Sequence, residues 1–332
     1  MNAPQVEADE SMDFLIATPK AYTATEAARV RPDGPRPPAR DAFTRLPTRP
    51  GPDPDILRTE AEPRARRDDG ILVVDDSTPD TPYARSVALV TRHRSGKHRA
   101  VVQGINLVSP SRTDGDRHIP CDSRVGDGAD GATENGHFAA VIRTARGRGF
   151  GPRCVALDGG YGGPENLKLI RSSGWTWPTR LTSDRLVNRD RQGTRARKDT
   201  AIAATGTAVW RPGFGLVRAF GIVAPDGDTA YRATNDLGMT ALTRRPFAAF
   251  AWAIASYRRG IRPCAGVERC HARSAVARRN HIGLAVRAFL RLEVHCFAAG
   301  VSWVGAKTAI VRDAVRKYLE QPRCRLPKPS TA

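Results

Sequence analysis

The chain has 332 residues, 40% of them hydrophobic, which is enough for one sizeable core with an appendage or for two modest domains. Lys and Arg number 53 against 34 Asp and Glu, and the resulting charge of +19 favours a polyanionic partner, most often nucleic acid. No apolar run reaches the length of about 18 residues that a membrane span needs, and the first residues lack an apolar segment. We therefore expect no membrane span and no signal peptide, and a cytoplasmic, nucleoid-associated protein.

The first part of the chain predicts short helices and no sheet. Residues 1–11 are expected to form a disordered extension, and residues 12–66 a small helical region. Thr23-Ala24-Thr25-Glu26 is a capping box that predicts the start of one helix, and proline-rich stretches then separate two helical segments at 41–46 and 54–66. This region is interpreted either as a DNA-binding module or as packing against the main domain.

From Ile71 onward the pattern alternates between strand and helix. Two short, continuous apolar runs, Ile71–Val74 and Cys154–Leu157, predict buried strands. The other elements predicted up to residue 181 are strands at Ser86–Thr91, Ala100–Val108 and His118–Val125, a helix at Phe138–Arg148, a helix at Asn166–Arg171 and a strand at Trp175–Leu181.

Beyond residue 181 the pattern predicts a β-rich insertion at about 183–240 and then helices. The element order is that of an α/β domain with a mixed sheet. We expect this domain to span residues 67–300, and a C-terminal helix and tail to span residues 301–332. The three helices are predicted at Pro246–Gly260, Ala275–Glu293 and Ala306–Leu319. The residues that follow helical spacing in the first of them, and that we expect to be buried, are Phe247, Phe250, Ile254, Tyr257 and Ile261.

Aspartates end both buried strands. Asp75 and Asp76 follow the first strand, and Asp158 follows the second. Carboxylates from neighbouring strand ends can converge on one point, and such hard oxygen ligands suit Mg²⁺ or Mn²⁺ rather than zinc. From the pattern alone, the alternative is that these aspartates only cap the strands.

Several segments together resemble the insertion-sequence DDE transposases, of the IS four-like, 701-type branch, and the resemblance runs from about Met12 to the C terminus. The segments are ILVVDDSTPDTPYA, VTRHRSGKHRAVVQGINLVS, TENGHF, RGFGPRCVALDGGYGGPENLKLIRSSGWTW and GVERCHARSAVARRNHIGLAVRAFLRLE. The resemblance implies an RNase H-like mixed sheet flanked by helices. It also implies an Asp-Asp-Glu triad with two Mg²⁺ (or Mn²⁺) ions for DNA cleavage and strand transfer at insertion-sequence ends. The implied partner is double-stranded DNA at terminal inverted repeats; a homodimer on that DNA is a separate expectation, because the sequence leaves the oligomeric state open.

The resemblance places the first two metal-binding, catalytic acids on Asp76 and on Asp158, the latter in the pattern D-x-x-Y-x-x-x-E-N. The third acidic position falls on Ala255, and no acidic residue occurs between Asp236 and Glu268. A second departure is Glu134, which stands where the family usually has Lys. We therefore predict a transposase that is catalytically impaired.

The arginines of the C-terminal half have few acidic neighbours, and clustered arginines suit contact with phosphates. For these arginines, the alternative is a solvated helix face. For the function of the chain, the alternatives are a non-catalytic basic DNA-binding remnant of a transposase and a nuclease that uses a substitute carboxylate such as Glu268. The residues predicted to bind DNA are Arg258, Arg259, Arg262, Arg269, Arg273, Arg278 and Arg279.

Overall fold

The computed structural model describes residues 5–32, 34, 37–49, 54–77, 81, 84, 86–95, 100–128, 131–182, 185–190, 192–223, 227–240 and 255–322. Within these ranges the chain forms a mixed five-stranded sheet, a four-stranded antiparallel sheet and two small hairpins, covered by helices. Among the described residues, no helix combines the length and the apolar character needed to cross a membrane.

The N-terminal region is helical, as predicted. The side chain of Thr23 caps its helix by accepting a hydrogen bond from the backbone N–H of Glu26 at 3.1 Å. Residues 8–11 differ from the predicted disordered extension: they form the first turn of a helix whose Met12 and Leu15 are buried, with Val6 buried just before it. The helices are α1 (Ala8–Ala17), α2 (Ala24–Arg29), α3 (Arg40–Arg45) and α4 (Pro54–Ala61), with a 3₁₀ turn at Leu46–Thr48.

The central sheet is mixed, as predicted from the element order. Its middle strand β1 (Ile71–Ser77) runs antiparallel to β4 and parallel to β7, in the order β5-β4-β1-β7, with β6 paired to β4. The predicted strands at Ile71–Val74 and Cys154–Leu157 are both present and buried. The other strands of this sheet are β4 (Leu107–Thr113), β5 (His118–Pro120), β6 (Arg124–Val125) and β7 (Cys154–Leu157).

A hairpin forms in this region, but its strands differ from the predicted Ser86–Thr91 and Ala100–Val108. Residues 86–90 are not a strand, because Leu89 adopts a positive φ of 69° that interrupts an extended chain. The hairpin instead joins β2 (Thr91–Ser95) to β3 (Ala100–Gly104), and its turn at 96–99 lies outside the described residues. The predicted strand Ala100–Val108 is in fact two strands in different sheets, β3 and β4.

Helices cover both faces of the central sheet. On one face, α5 (Glu134–Gly147) and α6 (Pro164–Ser172) pack over Leu72, Val74 and Val108. Helix α5 begins four residues before its predicted start, because the side chain of Thr133 caps its first turn. On the other face, α1, α4 and a long helix at Ala275–Ala299 contribute to a second core.

The region predicted as a β-rich insertion contains strands of an antiparallel sheet in the order β11-β12-β13-β8. Pro178 begins the edge strand of this sheet, where a missing N–H costs no central hydrogen bond. The strands are β8 (Pro178–Arg180), β9 (Leu186–Val187), β10 (Arg195–Ala196), β11 (Thr207–Arg211), β12 (Gly215–Val223) and β13 (Thr229–Thr234), with β9 and β10 forming a separate hairpin.

Three helices complete the chain. Helix α7 is described from residue 255 and continues to 265, past the predicted end at Gly260, while the predicted part at 246–254 lies outside the described residues. Of its predicted buried stripe, Tyr257 and Ile261 are buried, and Phe247, Phe250 and Ile254 lie outside the described residues. The remaining helices are α8 (Ala275–Ala299) and α9 (Trp303–Glu320), both longer than predicted.

Candidate metal centre

Three aspartates converge where the central strands of the mixed sheet end. Asp75 and Asp76 lie at the end of β1, just before its last residue Ser77, and Asp158 directly follows β7, which pairs with β1 in parallel. One carboxylate oxygen of each residue lies within 4.8 Å of the others. The structure therefore brings the two predicted residues, Asp76 and Asp158, together and adds Asp75 to them.

The two aspartates of β1 differ in their surroundings. Asp75 is buried, with 2% of its surface exposed, whereas Asp76 is half-buried and Asp158 is exposed. Side chains alternate along a strand, so Asp75 and Asp76 leave opposite faces of the sheet. The cluster thus lies at the rim of the sheet, within reach of both faces.

Arg258 of α7 contacts the cluster, although it lies 183 residues after Asp75 in the sequence. Its Nε and Nη2 donate to the two carboxylate oxygens of Asp75, and Nη2 also donates to the backbone oxygen of Asp76 at 2.5 Å. Its Nη2 lies 4.0 Å from the Asp76 carboxylate. Arg258 thereby neutralises one of the three acidic side chains. Ala255 lies one helical turn before Arg258, on the same side of α7, and is exposed.

The clustered acids shift one another's pKa values. Burial raises the pKa of the Asp75 carboxyl to about 7, and the charges of Asp76 and Asp158 act in the same direction, against the lowering effect of Arg258. Burial also raises the pKa of Asp76; Arg258 opposes this shift, and the charges of Glu134 and Asp158 add to it. A bound cation would favour the ionised form of each of these carboxyls.

Glu134 is a fourth acid beside the cluster, and it is the first residue of α5. Its Oε1 accepts hydrogen bonds from Asn106 Nδ2 and from His93 Nδ1, both at 3.1 Å. The side chain of Glu134 is 51% exposed, whereas Asn106 is 3% exposed. Glu134 stood out in the sequence only as an acid in place of a Lys, and nothing in the pattern indicated that it would lie near Asp76.

The loop after Asp158 packs into the core. The backbone oxygen of Asp158 accepts from Tyr161 N–H at 3.0 Å, and the Tyr161 ring stacks on Phe138 of α5 with 4.6 Å between centroids. Burial raises the pKa of Tyr161, and the charges of Asp76 and Glu134 raise it further. This packing fixes Asp158 and the start of α5 relative to each other.

The donor set fits a divalent metal ion. Three carboxylates within a few ångströms, one of them buried, are the hard oxygen ligands that Mg²⁺ and Mn²⁺ prefer. In addition, the amide oxygen Oδ1 of buried Asn106 has no hydrogen-bond partner among the described residues. Asn oxygens are ligands of the same hard class.

The arginines predicted to bind DNA have different surroundings. Arg259, Arg269 and Arg273 are exposed. Arg262 pairs with Glu268 at 3.0 Å, which places the alternative acid Glu268 in an ion pair, and Arg279 pairs with Asp127 at 2.9 Å. Arg278 differs from these, because only 4% of its surface is exposed and its Nε donates to the Ala272 backbone oxygen at 2.8 Å.

Comparison with known proteins places the fold. No model of a protein family matches the sequence, and no curated protein matches it. A solved structure is similar: the cryo-EM structure of a piggyBac transposase synaptic complex with hairpin DNA, with a TM-score of 0.51 and 9% sequence identity, over 100% of this chain and 78% of that one. The chain therefore has a transposase-like fold.

Proposed function

We propose that this chain is a DNA transposase of the DDE class, of the insertion-sequence IS four-like, 701-type branch, with impaired catalysis. The convergence of Asp75, Asp76 and Asp158 at the ends of adjacent strands carries the proposal. The transposase-like fold supports it, with the mixed sheet taken as RNase H-like. The substrate is double-stranded DNA at the element's terminal inverted repeats, bound by a homodimer.

In this proposal Asp76 and Asp158 hold Mg²⁺ or Mn²⁺, two ions in an intact family member. Such ions activate an attacking oxygen and stabilise the leaving oxygen of a phosphodiester. The chain's own contribution is rigid placement, because both acids end strands that are fixed in the sheet by backbone pairing. Arg258 holds Asp75 in place from α7.

The impairment follows from the third position. Ala255 offers no carboxylate on the side of α7 that carries Arg258. Without a carboxylate there to orient the metal ion, the reacting groups are misplaced, and a misplacement of about 1 Å can cost around a hundredfold in rate. A non-catalytic, basic DNA-binding remnant is the second candidate function. It is favoured by the Arg258 guanidinium, a cation of the protein itself that already lies among the acids.

DNA binding is tested by titrating a random duplex with the full chain at several salt concentrations. The excess of basic residues predicts contact with many phosphates, so the logarithm of the affinity should fall steeply and linearly with the logarithm of the salt concentration. Arg269→Gln and Arg273→Gln should each reduce the slope by about one.

The matched control is Arg316→Gln, because Arg316 is likewise an exposed arginine; it lies on α9 and already pairs with Asp313. Its slope should equal that of the unmodified chain. A flat salt dependence, or no binding at low salt, contradicts the proposed function.

A further inference from the structure

Glu134 and Asp76 share one face of the central sheet. Val108 lies directly opposite Asp76 across β1 and β4, and paired residues of antiparallel strands point to the same face. Val108 and Phe138 of α5 belong to one buried cluster, and α5 contacts β4. The Asp76 side chain therefore leaves β1 on the face that α5 covers, and Glu134 is the residue with which α5 begins.

Asn106 lies beside Glu134, just before β4 begins. It precedes Val108, the strand partner of Asp76, by two residues. Its Nδ2 donates to Glu134 Oε1 at 3.1 Å, which fixes the amide beside that carboxylate. Its Oδ1 is buried and has no partner within the described part of the chain, and a buried acceptor of this kind requires a donor or a cation.

The Glu134 carboxylate is held but not saturated. Asn106 and His93 both donate to Oε1. The second oxygen of this half-exposed group is therefore available to a ligand. The His93 ring is itself held through Nε2 by the hydroxyl of Thr91. These contacts orient Glu134 in the way that outer contacts orient the ligands of a metal ion.

The neighbouring negative charges of Asp76 and Glu134 also favour a bound cation. Arg258 donates to Asp75 and lies 4.0 Å from the Asp76 carboxylate, so it offsets part of the negative charge of Asp76, whereas Glu134 adds to the repulsion there. We infer that Glu134 is the third acidic ligand of the metal centre, and that it binds Mg²⁺ or Mn²⁺ together with Asp76 and the Asn106 amide oxygen. This inference rests on the proposed function, since Asp76 belongs to the metal centre proposed there.

The test measures Mn²⁺ binding to the full chain by electron paramagnetic resonance of the free ion, without DNA. Glu134→Gln keeps the size of the side chain and removes its charge, so it should weaken Mn²⁺ binding at least about tenfold. Glu165→Gln is the matched control, because Glu165 is an exposed acid in the first turn of the neighbouring helix α6. Its affinity should stay within about twofold of the unmodified chain.

Asp76→Asn separates this inference from the function on which it rests. If Asp76→Asn abolishes binding and Glu134→Gln binds like Glu165→Gln, Glu134 is not a ligand, and the proposed metal centre stands. If the unmodified chain binds no Mn²⁺, or if Asp76→Asn binds as well as the unmodified chain, both fail. Glu134→Asp retains the charge with a shorter reach and should also weaken binding. It serves as the decisive variant if Glu134→Gln does not fold.

Discussion

At the residue scale, the contact between Arg258 and Asp75 pairs a buried acid with a partly exposed base. The Asp75 side chain is 3% exposed, whereas that of Arg258 is 34% exposed. The carboxylate therefore bears most of the desolvation cost, and the guanidinium compensates it through two hydrogen bonds to the carboxylate and one to the backbone. Removing Arg258 alone is therefore expected to destabilise the folded state more than removing both partners together.

Arg258→Gln should destabilise the chain by about 3 kcal/mol, because it leaves Asp75 buried without its counter-charge. The double variant Asp75→Asn with Arg258→Gln should recover most of that loss, because no uncompensated charge remains. Urea unfolding followed by circular dichroism measures both. Arg259→Gln is the control, since Arg259 is the exposed neighbour, and it should change stability by no more than about 0.5 kcal/mol. Equal stabilities of the Arg258 and Arg259 variants would contradict the argument.

At the scale of elements, one polar contact ties the central sheet to the C-terminal helices. Glu293 of α8 accepts from the backbone N–H of His118 in β5 at 2.6 Å and from the indole of Trp303 in α9. The His118 ring is buried, and its Nδ1 has no partner among the described residues. Burial lowers the pKa of His118 to about 4, from an ordinary 6.5, and Asp114 only partly opposes this shift.

The pH dependence follows from that shift. Between pH 6.5 and 4 the unfolded chain takes up a proton on His118 and the folded chain does not. The stability that neutral His118 contributes is therefore present above pH 6.5 and is lost as the pH falls towards 4. The contribution of His118 should amount to about 3 kcal/mol over this window. Because Glu293 acts with the opposite sign, through a raised pKa, the measurement compares variants.

In His118→Gln the free energy of unfolding should fall less steeply between pH 6.5 and 4 than in the unmodified chain. In His295→Gln, an exposed histidine of α8, the slope should be unchanged. Equal slopes for the two variants would show that His118 is protonated in the folded chain.

Local patterns predicted the elements whose burial is decided within a few residues. The strand Ile71–Val74 and the cap at Thr23 are of this kind. The pattern failed where a single backbone conformation interrupts an apolar run, as at Leu89. It also could not place Arg258 on Asp75, because the two are 183 residues apart in sequence. Glu134 was missed for the same reason, since only the packing of α5 brings it to Asp76.

At the scale of the whole molecule, the site depends on how α7 packs across the sheet. Tyr257 is buried against Phe289 of α8, with ring centroids 5.4 Å apart. Gly260 lets α7 approach closely, because an added Cβ would lie 2.5 Å from Phe289 and 2.8 Å from Trp303. This packing directs Arg258 to the strand ends. It therefore also decides where a carboxylate at position 255 would lie.

Ala255→Glu tests that arrangement. Position 255 is one turn before Arg258, on the same side of the helix, so a glutamate there can reach the acidic cluster and add a carboxylate ligand. Mn²⁺ affinity should rise at least about tenfold. Cleavage at a donor DNA end, which we expect to be unmeasurable in the unmodified chain, should become detectable. Ser256→Glu is the control, because one residue turns the helix by about 100° and directs the carboxylate away.

The two variants add the same charge to the same helix, so general electrostatic attraction of Mn²⁺ would raise both affinities equally. A rise confined to Ala255→Glu shows that a carboxylate at position 255 reaches the metal centre, and it confirms the packing of α7 over β1. Efficient cleavage by the unmodified chain would show instead that the acids already present, Glu134 among them, suffice for catalysis. In that case the loss of a carboxylate at position 255 would not impair the protein.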